Sequence, residues 1–350
     1  MTAAGERPGE RVGPGTRRRR RLPSLDRHRD EREPPPGLAT PPALSFAGVG
    51  KRFGDTWVVR DLELCLPPGS ITGLIGPSGC GKTTTIRLAM GAYRPDEGDV
   101  RLLGRIAHEM STAERVVAGY LPQEPMLFEE LSLWENLNFL AALNGVRFRR
   151  RAELRALLDF VDLRGEESKL VNEASGGMKR RLALAATLAH NPPVLMLDEP
   201  TAGIDPVLRR RFWDQFRELR DRGHTLVVAT QYVGEAADCD HVVLLNQGRI
   251  AAVGTPDELR RRAVGGDLLD VSTARPAQPA TLQALMALEP VRDARFQDPQ
   301  TVRLTVTDAA STLPLVLDCL RHSGEEVTAS EEVSVDYDEV FIALVGVGTT

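Results

Sequence analysis

Along most of the chain, short apolar runs alternate with stretches whose apolar residues recur every three or four positions. Ser70-Ile71-Thr72-Gly73-Leu74-Ile75-Gly76 and Val194-Leu195-Met196-Leu197 are of the first kind, and residues 84–90 and 207–219 are of the second. Such alternation predicts a largely parallel sheet covered by helices. The helix over 206–220 is predicted by Leu208, Phe212, Phe216 and Leu219, spaced by four, four and three, with Pro206 suited to a first helical turn. Two helical stretches, 133–143 and 151–163, follow one another with no strand between them, which reads as a helical insertion.

Past Gly265 the order of patterns changes. Residues 268–271 read as a strand, 281–288 as a helix, and 291–296 and 302–306 as two strands around a polar turn. A helix over 312–321, an extended stretch over 327–335 and a closing helical piece over 338–345 complete the chain. Strand-helix-strand-strand-helix-strand is the split pattern of a ferredoxin-like unit. At the other end, residues 1–42 combine Pro, Gly and Arg, including Arg17-Arg18-Arg19-Arg20-Arg21 and Pro34-Pro35-Pro36, with almost nothing apolar to bury. This composition predicts a disordered basic arm, solvated or in weak contact with anionic lipid or RNA.

Composition narrows the class. With 350 residues, the chain has room for two domains plus a tail. No apolar run approaches the roughly 18 residues that a membrane helix needs, and the arginines are followed by Leu22-Pro23-Ser24-Leu25-Asp26-Arg27 rather than by the apolar segment of an export signal. Cys65, Cys80, Cys239 and Cys319 have neither paired nor metal-ligand spacing, so a reducing cytoplasm is expected. A net charge of −5 gives no global attraction to nucleic acid.

The chemistry lies in the loops. Gly76-Pro77-Ser78-Gly79-Cys80-Gly81-Lys82-Thr83 fits the G-x-x-x-x-G-K-[ST] cradle, between an apolar strand and a helical stretch that begins around Thr84. Its glycines let successive N–H groups turn toward phosphate oxygens, Lys82 neutralises the β and γ phosphates, and Thr83 can ligate Mg²⁺. Val194-Leu195-Met196-Leu197-Asp198-Glu199 ends a buried strand with two carboxylates. Alone, such a pair is more often a strand-end turn. With the cradle, Asp198 is suited to hold Mg²⁺ through water, and Glu199 to polarise a water in line with the γ phosphate.

These residues resemble the ATP-binding subunit of ABC transporters over about residues 44–265, and the segment Ala174-Ser175-Gly176-Gly177-Met178-Lys179 is similar to that family's signature. The resemblance implies that Ser175 and Gly177, with Gly176 between them, touch the γ phosphate held by a second copy, so that ATP is sandwiched in a head-to-tail dimer. A turn of small residues opening a helix suits an anion. The resemblance also implies that Gln123 reaches Mg²⁺ and water, that Asp205 in Ala202-Gly203-Ile204-Asp205 lies across the dimer seam, and that Phe53 stacks on adenine.

Two positions depart from the family pattern. Gln231, in Thr230-Gln231-Tyr232, stands where histidine is usual, and Ala174 where leucine is common. Glutamine can hydrogen-bond a phosphate oxygen but cannot carry charge or shuttle a proton. The drug and antibiotic exporters of daunorubicin-resistance type often read Thr-Gln-Tyr, and the ending Asp336-Tyr337-Asp338-Glu339-Val340-Phe341 resembles theirs.

The expected fold is therefore α/β: a P-loop NTPase core with a mainly parallel sheet and a helical insertion over 43–265, then a smaller α+β, ferredoxin-like domain over 266–350. The expected function is that of an ATP-hydrolysing subunit using ATP and Mg²⁺, paired with a second copy and energising export by a separate membrane permease. Such a subunit would be cytoplasmic, at the inner face of the membrane, with no nucleic-acid partner. The permease would dock near Gln123 and Met126-Leu127-Phe128. Two alternatives stand beside it: a soluble ATPase of the same superfamily acting on nucleic acid or ribosomes, and a non-hydrolysing regulator, suggested only by Gln231. An importer is disfavoured by the split C-terminal pattern.

Overall fold

The computed structural model describes residues 41–146 and 150–346, so the basic arm expected over 1–42 lies, but for its last two residues, outside them. The first layer is antiparallel and was not part of the sequence-based expectation. β1 (Leu44–Phe53) and β2 (Thr56–Leu66) form a long hairpin paired from Leu44↔Leu66 to Phe53↔Thr56. Next come β3 (Ile71–Ile75) and α1 (Lys82–Ala89). β4 (Glu97–Leu102) and β5 (Arg105–Ile106) then complete the antiparallel layer in the order β2-β1-β4-β5.

β6 (Ala118–Leu121) leads into the helical insertion, α2 (Leu133–Leu143) and α3 (Arg151–Phe160). A reciprocal pair of bonds between Ser132 and Glu135 starts α2, satisfying two N–H groups at its open end. After α4 (Gly176–Leu188) come β7 (Val194–Asp198), α5 (Pro206–Asp221), β8 (Thr225–Thr230), β9 (His241–Asn246), β10 (Arg249–Gly254) and α6 (Pro256–Val264). The large sheet runs β10-β9-β3-β8-β7-β6, parallel except for the edge strand β10.

Both faces of this sheet are covered, which explains why its strands read as unbroken apolar runs. In β7, Leu195 and Leu197 join the core beneath α2 to α5, with Leu137, Leu158, Leu184 and Phe216. Val194 and Met196 face the other way, toward α1 and the antiparallel layer, with Phe46, Leu62 and Ile86. The end of β7 that carries Asp198 is thus clamped from two sides.

The last part has a core of its own. β11 (Asp267–Thr273), α7 (Pro279–Met286), β12 (Val291–Phe296), β13 (Thr301–Val306), α8 (Ala309–His322) and β14 (Val327–Val333) follow in that order. The strands pair antiparallel as β12-β13-β11-β14, the arrangement of the ferredoxin-like unit. Leu269, Val271, Val302 and Leu304 pack against Leu285, Val316 and Leu320. α9 (Tyr337–Gly346) leaves this unit and lies on α6, β10 and the turn 233–238, burying Tyr337 and Val340 in the core beneath the large sheet. Among the described residues, no helix is long and apolar enough to cross a membrane.

Candidate functional site

The cradle between β3 and α1 is shaped by absent side chains. A Cβ on Gly76 would meet the Leu245 carbonyl oxygen at 2.2 Å, so only glycine fits. Gly81 precedes α1 with φ +108 and offers no side chain to cap it. The first-turn N–H groups of Lys82, Thr83 and Thr84 have no intrahelical acceptor, as at any helix start, and stand ready for an anion. Pro77, Ser78 and Gly79 are exposed at the tip, while Cys80 is buried, and burial pushes its thiol up.

Lys82 is itself buried, and its Nζ donates to the carbonyls of Gly76 at 2.8 Å and Pro77 at 3.2 Å. The same nitrogen lies 3.4 Å from Glu199 Oε1. One residue on, the Thr83 hydroxyl donates to Asp198 Oδ1 at 3.1 Å. The other carboxylate oxygen, Asp198 Oδ2, is buried without a hydrogen-bond partner among the described residues. Burial raises the Asp198 carboxyl above its usual range, against the pull of Thr83, Arg87, Lys82 and Tyr120. A hydroxyl beside a carboxylate with a free oxygen suits a hard divalent cation that keeps several waters, as Mg²⁺ does. Among the described residues, no cluster of three or more His, Cys, Asp or Glu could hold a metal unaided.

Glu199 follows the strand in a left-handed backbone conformation, φ +50, which a non-glycine residue adopts only where its surroundings hold it. Its N–H donates to the Ala229 carbonyl at 2.8 Å. Its Oε2 accepts from the backbone N–H of Gln231 at 3.3 Å. Burial raises the Glu199 carboxyl, with Lys82 and the Gln231 N–H opposing. The contact from Gln231 is thus made by its main chain, and its side chain is exposed.

The other expected residues lie around this centre. Gln123 is exposed just past β6, and its carbonyl accepts from Arg180 at 2.6 Å. Phe53 is 45% exposed at the end of β1, its ring edge-on to Tyr93 at 5.4 Å with Lys51 Nζ over it at 5.5 Å. Ser175 caps α4 by accepting from Met178 N at 3.3 Å, and Asp205 caps α5 by accepting from Val207 and Leu208 at 3.0 and 2.9 Å. Ser175, Gly177, Gly203 and Asp205 line a hollow of about 450 Å³ to which no cradle residue contributes. Gly176 borders open space.

Three further residues carry the site and gave no sequence signal. Arg180 is buried in α4 and donates to the carbonyls of Pro200 at 3.0 Å, Pro122 at 3.1 Å, Gln123 at 2.6 Å, Asp198 at 3.1 Å and Glu199. Asn136, fully buried, holds the loop before α2 through Phe128, Leu131 and Ser132. Thr201 donates to Glu235 at 2.6 Å, joining the turn after Glu199 to the segment after Gln231. Their partners are main-chain atoms or distant in sequence, so no spacing announces them.

The ABC transporter family model matches residues 59–202. The chain is 37% identical over 310 residues to the daunorubicin resistance ATP-binding protein DrrA3 of Streptomyces coeruleorubidus, spanning 87% of this chain and 96% of that protein. It is also 37% identical over 236 residues to the Nod factor export ATP-binding protein I of Burkholderia lata, spanning 67% and 78%. Among solved structures, an ATP-binding subunit of an ABC transporter superposes with a TM-score of 0.58 at 28% identity, over 63% of this chain and 92% of that one. The chain belongs to the ABC transporter family as one of its ATP-binding, ATP-hydrolysing subunits.

Proposed function

We propose that this subunit works as a head-to-tail pair with a second copy and drives export through a separate membrane permease. The observation that carries the hydrolytic reading is the meeting of Lys82, Thr83, Asp198 and Glu199 at the ends of β3 and β7, within hydrogen-bond and ion-pair distances of 3.1 and 3.4 Å. Lys82 would leave its carbonyl partners for the β and γ phosphates, and Phe53 would cover the adenine. Glu199, freed of Lys82 and held by the Gln231 N–H, would take the proton of the attacking water. Thr83, Asp198 and Gln123 would hold Mg²⁺, which supplies charge neutralisation on the phosphate oxygens. The Gln231 side chain would donate to a γ-phosphate oxygen.

The hollow at Ser175, Gly177 and Asp205 supports the second copy. It has anion-binding features but no cradle residue, so a partner's phosphates would fill it. The docking face for the permease is the apolar surface of Met126, Phe128, Phe139 and Leu143, beside Gln123 and anchored by Asn136. Residues 266–350 would be an accessory unit for regulation or subunit contact. The likeness to the Nod factor export ATP-binding protein I supports export as the direction. Recovery of a multi-span membrane protein with the tagged chain from native membranes, lost on Met126→Asp, tests the proposal. Recovery of ribosomes or DNA in its place would overturn it.

A further inference from the structure

Arg180 is a buried cation that makes no ion pair among the described residues; burial lowers its proton affinity, and the nearby Asp198 and Glu199 oppose this. Its guanidinium instead spends all its N–H donors on five main-chain carbonyls. The five acceptors come from two separate segments, 122–123 and 198–200. Their residues include Gln123, Asp198 and Glu199, three of the four whose side chains are read as handling Mg²⁺ and the attacking water, Thr83 being the fourth. Arg180 itself stands one turn beyond Ser175, in the helix that the signature turn opens.

This arrangement bears most on Glu199. Its left-handed backbone has to be imposed from outside, and its carbonyl is held by Arg180 and by the Ala202 N–H at 3.2 Å. If that carbonyl is released, the peptide can rotate toward the ordinary right-handed or extended regions, and the carboxylate swings with it. Displacements of an ångström at such a group are enough to lose most of its effect.

We propose that Arg180 is a positioning residue for hydrolysis: it fixes the main chain of Glu199 to the helix that carries Ser175, and so holds the carboxylate of the base in place. The inference rests on Glu199 being the base. A lysine could keep the charge but reach only some of the carbonyls, because its three donors radiate from one atom. The nucleotide cradle does not touch Arg180, so ATP affinity should not depend on it.

The test is a double-mutant cycle under single-turnover conditions with γ-labelled Mg-ATP, using the full chain. Arg180→Gln should lower the hydrolysis rate by about 10- to 100-fold while the ATP dissociation constant stays within twofold, and Arg180→Lys should fall between. In a Glu199→Gln background, Arg180→Gln should cause less than a twofold further loss, because the residue it positions no longer acts. Equal losses in both backgrounds, or ATP affinity falling in step with the rate, would make Arg180 merely structural and overturn the proposal. If Arg180→Gln does not melt cooperatively, the same cycle is run with Arg180→Lys. A Glu199→Gln protein as active as the parent would remove the base assignment, and the proposal with it.

Discussion

Lys82 Nζ rests 3.4 Å from Glu199 Oε1, so the cradle's cation and the carboxylate read as the base form an ion pair. Phosphates entering the cradle compete for that cation. With Glu199 as the base, binding would also activate it, because a carboxylate no longer paired with Lys82 is the stronger proton acceptor.

Lys82→Ala should therefore weaken ATP binding at least tenfold, the worth of roughly 1.5 kcal/mol in charged hydrogen bonds. Titration with a fluorescent ATP analogue measures this. Unchanged affinity would refute the role of Lys82.

Glu199→Gln should retain ATP binding and lower hydrolysis by about 10²–10⁴-fold, the usual effect of a positioned general base. The amide oxygen can still accept from the Gln231 N–H, so the side chain should keep its place. With turnover blocked, a dimer should accumulate in Mg-ATP and show as a doubled mass on size exclusion. An active variant would place the base elsewhere.

What the sequence made readable and what it hid follow from where each partner lies. The cradle is a contiguous string whose glycines have local reasons, such as the Leu245 carbonyl pressed against Gly76. Asp198 and Glu199 end a run whose alternate residues face two cores, and that run is visible without knowing the fold. The ferredoxin-like order of strands and helices was legible for the same reason, since each element carries its own period. Arg180 was not, because any arginine in an amphipathic helix looks solvated until its carbonyl partners are brought to it. The antiparallel layer of β1, β2, β4 and β5 was missed because its strands are irregular, with bulges between Phe46 and Val49 and between Ala47 and Gly50. The docking of α9 on the large core was hidden too, since Tyr337 and Val340 fit either unit by pattern alone.

That docking makes a stability prediction. Val340→Ala removes about two methylene equivalents from a buried site, and should lower stability by roughly 1.5–2.5 kcal/mol. Tyr337→Phe should be close to neutral, because the Tyr337 hydroxyl is buried with no hydrogen-bond partner among the described residues while its ring, with Arg260 over it at 4.0 Å, is kept. Urea denaturation of both variants checks this. A chain ending at Gly265 should bind ATP yet melt at a lower temperature than the parent, since it loses both side chains from the cassette's core.

Two histidines set an acid limit on stability. Burial lowers the proton affinity of His224, whose Nδ1 donates to the Pro192 carbonyl at 2.7 Å in the neutral form, and burial likewise lowers that of His190. Their folded pKa values lie below the unfolded value of about 6.5, so the stability they confer is complete above it and is lost as pH falls through the folded values. The melting temperature should drop between pH 7.5 and 5.5. His224→Asn, whose amide can still reach Pro192, should reduce the drop. An identical drop in the variant would mean that other groups set the limit.

Gln231 poses the sharpest question, because its main chain and its side chain do different things. The N–H holds Glu199 Oε2 at 3.3 Å whatever the side chain is, and the side chain is exposed. Gln231→Ala should therefore leave the base in place and remove only the donor meant for the γ phosphate. A charge-assisted hydrogen bond contributes roughly 1.5–3 kcal/mol, or about ten- to hundredfold in turnover if it strengthens fully in the transition state. Gln231→His should restore turnover and add a pH limb near the ordinary histidine value of about 6.5, a limb that glutamine, which does not titrate, cannot give the parent. The measurement is turnover against pH at saturating Mg-ATP for the parent and both variants, with Glu199→Gln as the blank. If the Ala variant runs as fast as the parent, the main-chain contact alone serves hydrolysis, and the absence of histidine at this position has no consequence for the rate.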